Sequence, residues 1–160
     1  MRYIDKSNRC ADFDTYAKPA NWPSFDKNIK LLLHQHLLKE QQHLCIYCQQ
    51  SIPSKTQKDD PIANPKILHP SHIEHIRPKE AGKFPLLTFE YTNLAVSCDG
   101  FEIGSTLPRR SPDFCGHPKK SIFDDTLFLH PFEEMDIEDF FEYDLNGEIG
   151  PSAKDPGKTN

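Results

Sequence analysis

Cys45-Ile46-Tyr47-Cys48 restricts this chain more than any other stretch. Two thiols at this spacing make a turn that presents both sulfurs to one zinc ion. A redox pair is the lesser alternative, because it belongs at a strand-to-helix junction. Here a helical run precedes the pair, and Gln49-Gln50-Ser51-Ile52-Pro53 after it reads as turn. The N-terminus, Met1-Arg2-Tyr3-Ile4-Asp5-Lys6, lacks the apolar core of a secretory signal, so a cytosolic, reducing setting is expected. No apolar run nears the roughly 20 residues that span a membrane. Of the remaining cysteines, Cys98 and Cys115 are separated by 16 residues, and Cys10 stands alone as a free thiol.

The 160 residues are enough for one domain with a sizeable core, and 14 prolines imply much loop. Residues 24–43 predict a helix, with Ser24 as N-cap and Ile29, Leu32, Leu33, His36 and Leu37 on the buried face. His34, His36 and His43 on it are read as surface or packing residues. Residues 51–66 predict a polar, Pro-rich loop. Next comes Ile73-Glu74-His75-Ile76-Arg77-Pro78, in strand-like surroundings with Ile67 and Leu68. A carboxylate is a hard ligand for a divalent ion, and an imidazole titrates near neutral pH. The pair is either a metal ligand beside a base or ordinary surface chemistry. Neighbours on an ideal strand point to opposite faces, so Glu74 and His75 share a site only if the strand ends or bulges there; Pro78 favours an end. His69 and His72 are nearby; His72 could assist the pair, but a water-exposed loop position is the expected role for each. Asn93-Leu94-Ala95-Val96-Ser97-Cys98 predicts a short strand, with Asn93 pinning or starting a turn. Residues 99–114 read as loop, and Pro118 allows a short helix near His117.

The net charge of −5 hides an asymmetry. Residues 124–148 hold 10 acids and no lysine or arginine, which leaves residues 1–123 mildly basic. The acidic stretch is dense in aromatic and aliphatic residues and predicts an ordered appendage. Phe128, Phe132, Phe140 and Phe141 are expected partly in a local core and partly on a face for a protein partner; the alternative is that the segment only covers the zinc core. Asn146-Gly147 marks a hairpin turn whose returning strand is cut short by Gly150-Pro151, and residues 152–160 read as disordered.

Taken in order, Cys45-x-x-Cys48, Glu74-His75, Asn93, Cys98, Cys115 and His117 resemble an HNH endonuclease, whose fold is the ββα-metal or His-Me finger. The segments Ile73-Glu74-His75-Ile76-Arg77-Pro78-Lys79, Tyr91-Thr92-Asn93-Leu94, Ser97-Cys98-Asp99-Gly100 and Cys115-Gly116-His117-Pro118-Lys119-Lys120 are most similar to the HNH subunit of Septu-type, also retron-associated, anti-phage defence systems. The likeness covers residues 40–123 well and the acidic appendage loosely. It implies an α+β fold: an N-terminal segment and helix (1–44), a zinc-clamped ββα-metal core (45–123) and an acidic appendage (124–160).

The resemblance also assigns roles. His75 would be the general base. Glu74 and His117 would hold a catalytic Mg2+ or Mn2+, and Asn93 would hold the loop that aims His75. Cys45, Cys48, Cys98 and Cys115 would bind structural zinc. The second cysteine pair is split by 16 residues where the family usually has two, and His117 stands two places after Cys115 where the ligand often adjoins the cysteine. The implied activity is hydrolysis of phosphodiester bonds in DNA, with RNA as a lesser option, beside an ABC-type ATPase and away from membranes. Arg77, Lys79, Lys119 and Lys120 are either phosphate contacts or solvated surface charges. The alternative function is a zinc-stabilised binding module without catalysis.

Overall fold

The structure, a computed structural model, describes residues 1–52, 71–79, 83–99, 115–146 and 148–154. The chain is α+β. Helix α1 (Ala11–Thr15) and helix α2 (Lys27–Glu40) precede an antiparallel pair, β1 (Ser71–His75) and β2 (Leu94–Cys98). A single-turn helix α3 (Gly116–Lys119) follows, then a second antiparallel pair, β3 (Phe141–Tyr143) and β4 (Ile149–Pro151). Ile67, Leu68, His69 and nearly all of the 51–66 and 99–114 loops lie outside the described residues. No helix among the described residues is long and apolar enough to cross a membrane.

Helix α2 starts later than its sequence suggests. Asp26, not Ser24, is the N-cap: its carboxylate accepts from the Asn28 and Ile29 amides. Ser24 belongs to a 3-10 turn, Trp22–Ser24, held by the Asn21 side chain, and Phe25 between the two turns is buried. The buried face is also rotated. Leu33, His34, Leu37 and Leu38 are inside, whereas Leu32 is 42% exposed and His36 only half-buried. The strand explains the rotation, because Ser71 offers a hydroxyl 3.1 Å from His34 Nε2, and a paired histidine can be buried. His36 donates to the Asn8 carbonyl at the margin.

The β1–β2 pair has a core on each face. Ile73, Leu94 and Val96 pack with α2 and with Phe13, Phe25 and Tyr91. Ile76 and Ala95 pack on the other side with Ile4, Ile46 and the half-buried Phe123, Phe128 and Phe132. The acidic appendage is therefore sealed onto the body. Its own cluster, Leu129, Ile137 and Phe140, takes in Met1, Tyr3 and Phe141, and the Ile4 amide bonds to the Pro131 carbonyl at 2.9 Å. Strands β3 and β4 pair as the hairpin signal predicts, but the pairing continues through Gly150 and Pro151. Proline is tolerated at the end of a two-stranded edge, where its missing N–H costs no ladder bond. The stretch beyond is partly ordered: Ser152 is buried and bonds to Phe140 and Asp139, and Lys154 pairs with Asp136 and Asp139.

Two devices link α2 to β2. The buried Gln41 side chain accepts from the Val96 amide at 2.6 Å and donates to the Val96 carbonyl at 2.9 Å, which satisfies the strand edge. Buried Lys6 pairs with Glu40 at 2.5 Å and donates to the Leu94 carbonyl at 2.7 Å, while Tyr91 donates to Glu40 at 2.6 Å. Burial pulls the Lys6 ammonium down to about 8 despite Glu40. Glu40→Ala would strand Lys6 inside without its counter-charge. We expect a loss of about 3–5 kcal/mol in urea unfolding; a change under about 1 kcal/mol would mean that water replaces the carboxylate.

Candidate active site and metal centres

Four cysteines converge where α2, β2 and α3 meet. Cys45 and Cys48 sit in the turn beyond α2, Cys98 ends β2, and Cys115 precedes α3 with φ 54°. The sulfurs of Cys45 and Cys115 are 3.7 Å apart, those of Cys48 and Cys98 3.6 Å, and those of Cys98 and Cys115 3.4 Å. A tetrahedral zinc with ~2.3 Å bonds sets neighbouring sulfurs about 3.8 Å apart, so the spacing suits that ion. Contacts from Cys115, Cys48 and Cys98 hold the Cys45 thiol well below its usual range, while Cys45, Cys48 and Cys98 push Cys115 up. The Cys98 amide also donates to the Cys45 sulfur at 3.3 Å. The split of the second cysteine pair is bridged in space, since β2 and α3 bring its two ends together.

Glu74 and His75 point to opposite faces of β1, as strand geometry requires. Glu74 faces α3 beside its cross-strand neighbour Ala95. Its Oε1 accepts from Lys119 at 3.0 Å and from the Tyr47 hydroxyl at 3.1 Å, and its Oε2 lies 3.4 Å from His72 Nε2. Burial works against its charge, but His72 and Lys119 outweigh it and hold the carboxyl below its ordinary value. Gly116 makes the approach possible: a β-carbon there would stand 2.8 Å from Glu74 Oε2.

His75 faces the α2 side, its ring edge-on to Trp22 with centroids 4.5 Å apart. Its Nε2 is 3.0 Å from the Thr88 carbonyl. A carbonyl only accepts, so Nε2 carries the proton and Nδ1 is the basic nitrogen. Asn93, almost fully buried, ties this loop down. Its Oδ1 accepts from the Arg77 amide at 2.7 Å, and its Nδ2 donates to the Arg77 and Leu87 carbonyls at 3.0 Å each. Strand β1 ends at His75, and a cleft of about 300 Å³ opens there, bordered by His72, Glu74, His75, His117, Lys79 and Lys120.

Three expectations change. His72 is not a water-exposed loop residue. It lies in β1 on the Glu74 face, with Nδ1 2.7 Å from Asp99. Burial opposes its charge, yet Asp99 and Glu74 push its pKa up to about 9. Arg77 is turned away from the cleft into the appendage, where it pairs with Asp125 at 2.9 Å and Glu133 at 3.1 Å. Lys119 is mostly buried on Glu74 and also donates to the His75 carbonyl. Lys79 and Lys120 remain at the cleft.

His117 joins a group that the sequence did not single out. Its Nε2 is 3.6 Å from Asp99 Oδ1, and its ring is 5.1 Å from that of His72. His72, Asp99 and His117 each offer a ligand atom within 4.8 Å of the others. Period-2 alternation would have put His72 beside Glu74. Asp99 carried no such signal beyond its place after Cys98. The chain matches no protein-family model and no curated protein.

Proposed function

We propose that this chain is a metal-dependent endonuclease of the HNH type that hydrolyses phosphodiester bonds in DNA, with RNA as the lesser option. The observation that carries the proposal is His75: one ring nitrogen is committed to the Thr88 carbonyl, and the residue stands at the rim of a cleft that Glu74 and His117 also border. A histidine so held can take a proton from water at Nδ1. Trp22 packs against its ring and Asn93 braces the loop behind it, so the imidazole keeps one orientation. Lys79 and Lys120 supply positive charge for phosphates, which gives affinity without sequence reading.

The cleft also suits a divalent ion. His117 Nε2 is buried without a hydrogen-bond partner, and the Asp99 carboxylate stands 3.6 Å from it. Held at His117 in this cleft, Mg2+ or Mn2+ would polarise the phosphoryl group and neutralise the leaving oxygen. Zinc on the four thiols would clamp the turn beyond α2 to β2 and α3 and so set the cleft's walls.

The appendage presents Leu127, Met135, Tyr143, Leu145 and Ile149 to solvent among its acids. We propose this face for docking of an ABC-type ATPase in an anti-phage defence complex, which leaves the cleft to nucleic acid. The test is incubation of plasmid with Mg2+ or Mn2+, with the chain alone and with the ATPase. Nicking or linearisation that depends on added ion supports the proposal. Binding without cleavage under every condition would leave a zinc-stabilised binding module.

A further inference from the structure

The geometry points to His72, Asp99 and His117 as the ligands of the cleft's divalent ion, with Glu74 as a positioning residue behind His72. It further implies a preference for a transition ion such as Mn2+ over Mg2+. This deepens the nuclease proposal and rests on it for the ion's use in cleavage, but not for its binding.

The inference starts from what already occupies Glu74. Its Oε1 accepts from both the Lys119 ammonium and the Tyr47 hydroxyl. An ion taken on that oxygen would displace both donors and sit against a fixed positive charge. Only Oε2 is left, and it faces His72 Nε2 at 3.4 Å. Asp99 is placed differently. It lies at the end of β2, 2.7 Å from His72 Nδ1 and 3.6 Å from His117 Nε2. Adjacent ligands on an ion with bonds near 2.1 Å stand about 3.0–3.5 Å apart, so small adjustments bring both nitrogens and the carboxylate onto one ion.

The two nitrogens of His72 then divide their work. Nδ1 turns to the ion, and the Nε2 proton goes to Glu74 Oε2. A metal-bound histidine that donates its other N–H to a carboxylate is the usual outer arrangement, and it fixes ring and tautomer together. Lys119 and Tyr47 in turn hold Glu74. His117 Nε2, buried without a hydrogen bond among the described residues, gains a ligand bond to the ion. The position of this set is tied to the thiol cluster. Asp99 directly follows Cys98, and His117 lies two residues beyond Cys115, so whatever clamps the thiols also brings these ligands together. Two imidazoles and one carboxylate suit manganese, cobalt, nickel or zinc, whereas magnesium favours oxygen ligands and keeps its waters.

The test is Mn2+ binding to the full chain without nucleic acid, followed by electron paramagnetic resonance, with nitrogen couplings read by spin-echo modulation. The expected result is one bound Mn2+ showing two imidazole nitrogens in the wild type and one in His72→Gln. Asp99→Asn should weaken binding by at least ~10-fold, while Glu74→Gln should weaken it by the ~10–100-fold of an outer partner and keep both nitrogens. Mg2+ in ~100-fold excess should not displace Mn2+. A wild-type signal with a single imidazole that His72→Gln leaves unchanged overturns the ligand set, as does an absence of tight Mn2+ binding. Displacement by equimolar Mg2+ overturns the selectivity. Zinc content and melting temperature check the fold of each variant. If buried Asp99→Asn also loses zinc, the half-exposed His72→Gln decides alone. Mn2+ binding with both nitrogens but no cleavage of any nucleic acid would refute the nuclease reading and leave the site standing.

Discussion

Replacing His75 with alanine is expected to lower DNA cleavage by at least ~10²-fold, within the ~10²–10⁴-fold attributed to a general base. The loss should appear in the rate at saturating substrate, with nucleic-acid affinity nearly unchanged, because Lys79 and Lys120 are untouched. The structure adds a second effect. His75 is only 5% exposed and packs on Trp22, so alanine also leaves a gap and should lower the melting temperature by a few degrees. His75→Gln fills most of that gap without a usable base and separates the two effects. It should recover stability and remain inactive. Wild-type rates in either variant would move the base elsewhere and leave the pairing with Thr88 as a packing contact.

Chelating the zinc proposed for the four thiols is expected to unfold the chain. Structural zinc contributes about 10–16 kcal/mol of apparent binding energy in small zinc-dependent units, as much as the whole stability of a typical domain. The regular structure it would hold is slight: β1 and β2 have five residues each, and α3 has four. Cys48→Ser is the cleaner version, because Cys48 is the exposed member of the set and its loss opens no core cavity. Both treatments should collapse the cooperative thermal transition and expose apolar surface. A protein that purifies without zinc and melts unchanged in excess chelator would show that the Gln41 and Lys6 links suffice to hold β2.

The elements whose signals are local were legible in advance. Helix α2 followed from apolar periodicity over an uninterrupted run, β2 from a short apolar stretch ending at Cys98, and the β3–β4 hairpin from its turn residues. Their margins were less so. Ser24 and Asp26 are equally good caps by chemistry, and the choice fell to burial of Phe25 between them. The buried face of α2 turned so that His34 could meet Ser71, a residue distant in the chain.

The candidate site divides in the same way. Residue types and order along the chain determined which groups were available: the thiols of Cys45, Cys48, Cys98 and Cys115, the Glu74-His75 pair, Asn93 and His117. Their partners were decided in three dimensions. Asp99 and His72 became neighbours of His117 because pairing β1 with β2 sets Ser71 opposite Cys98 and so puts residue 72 near residue 99. Arg77 and Lys119, equivalent in sequence to other loop cations, found carboxylates close by and left the cleft to Lys79 and Lys120. Ligand chemistry belongs to a side chain and can be read one residue at a time. Which ligand faces which depends on the register of two strands and on where a four-residue helix begins, and those follow from packing across the whole chain.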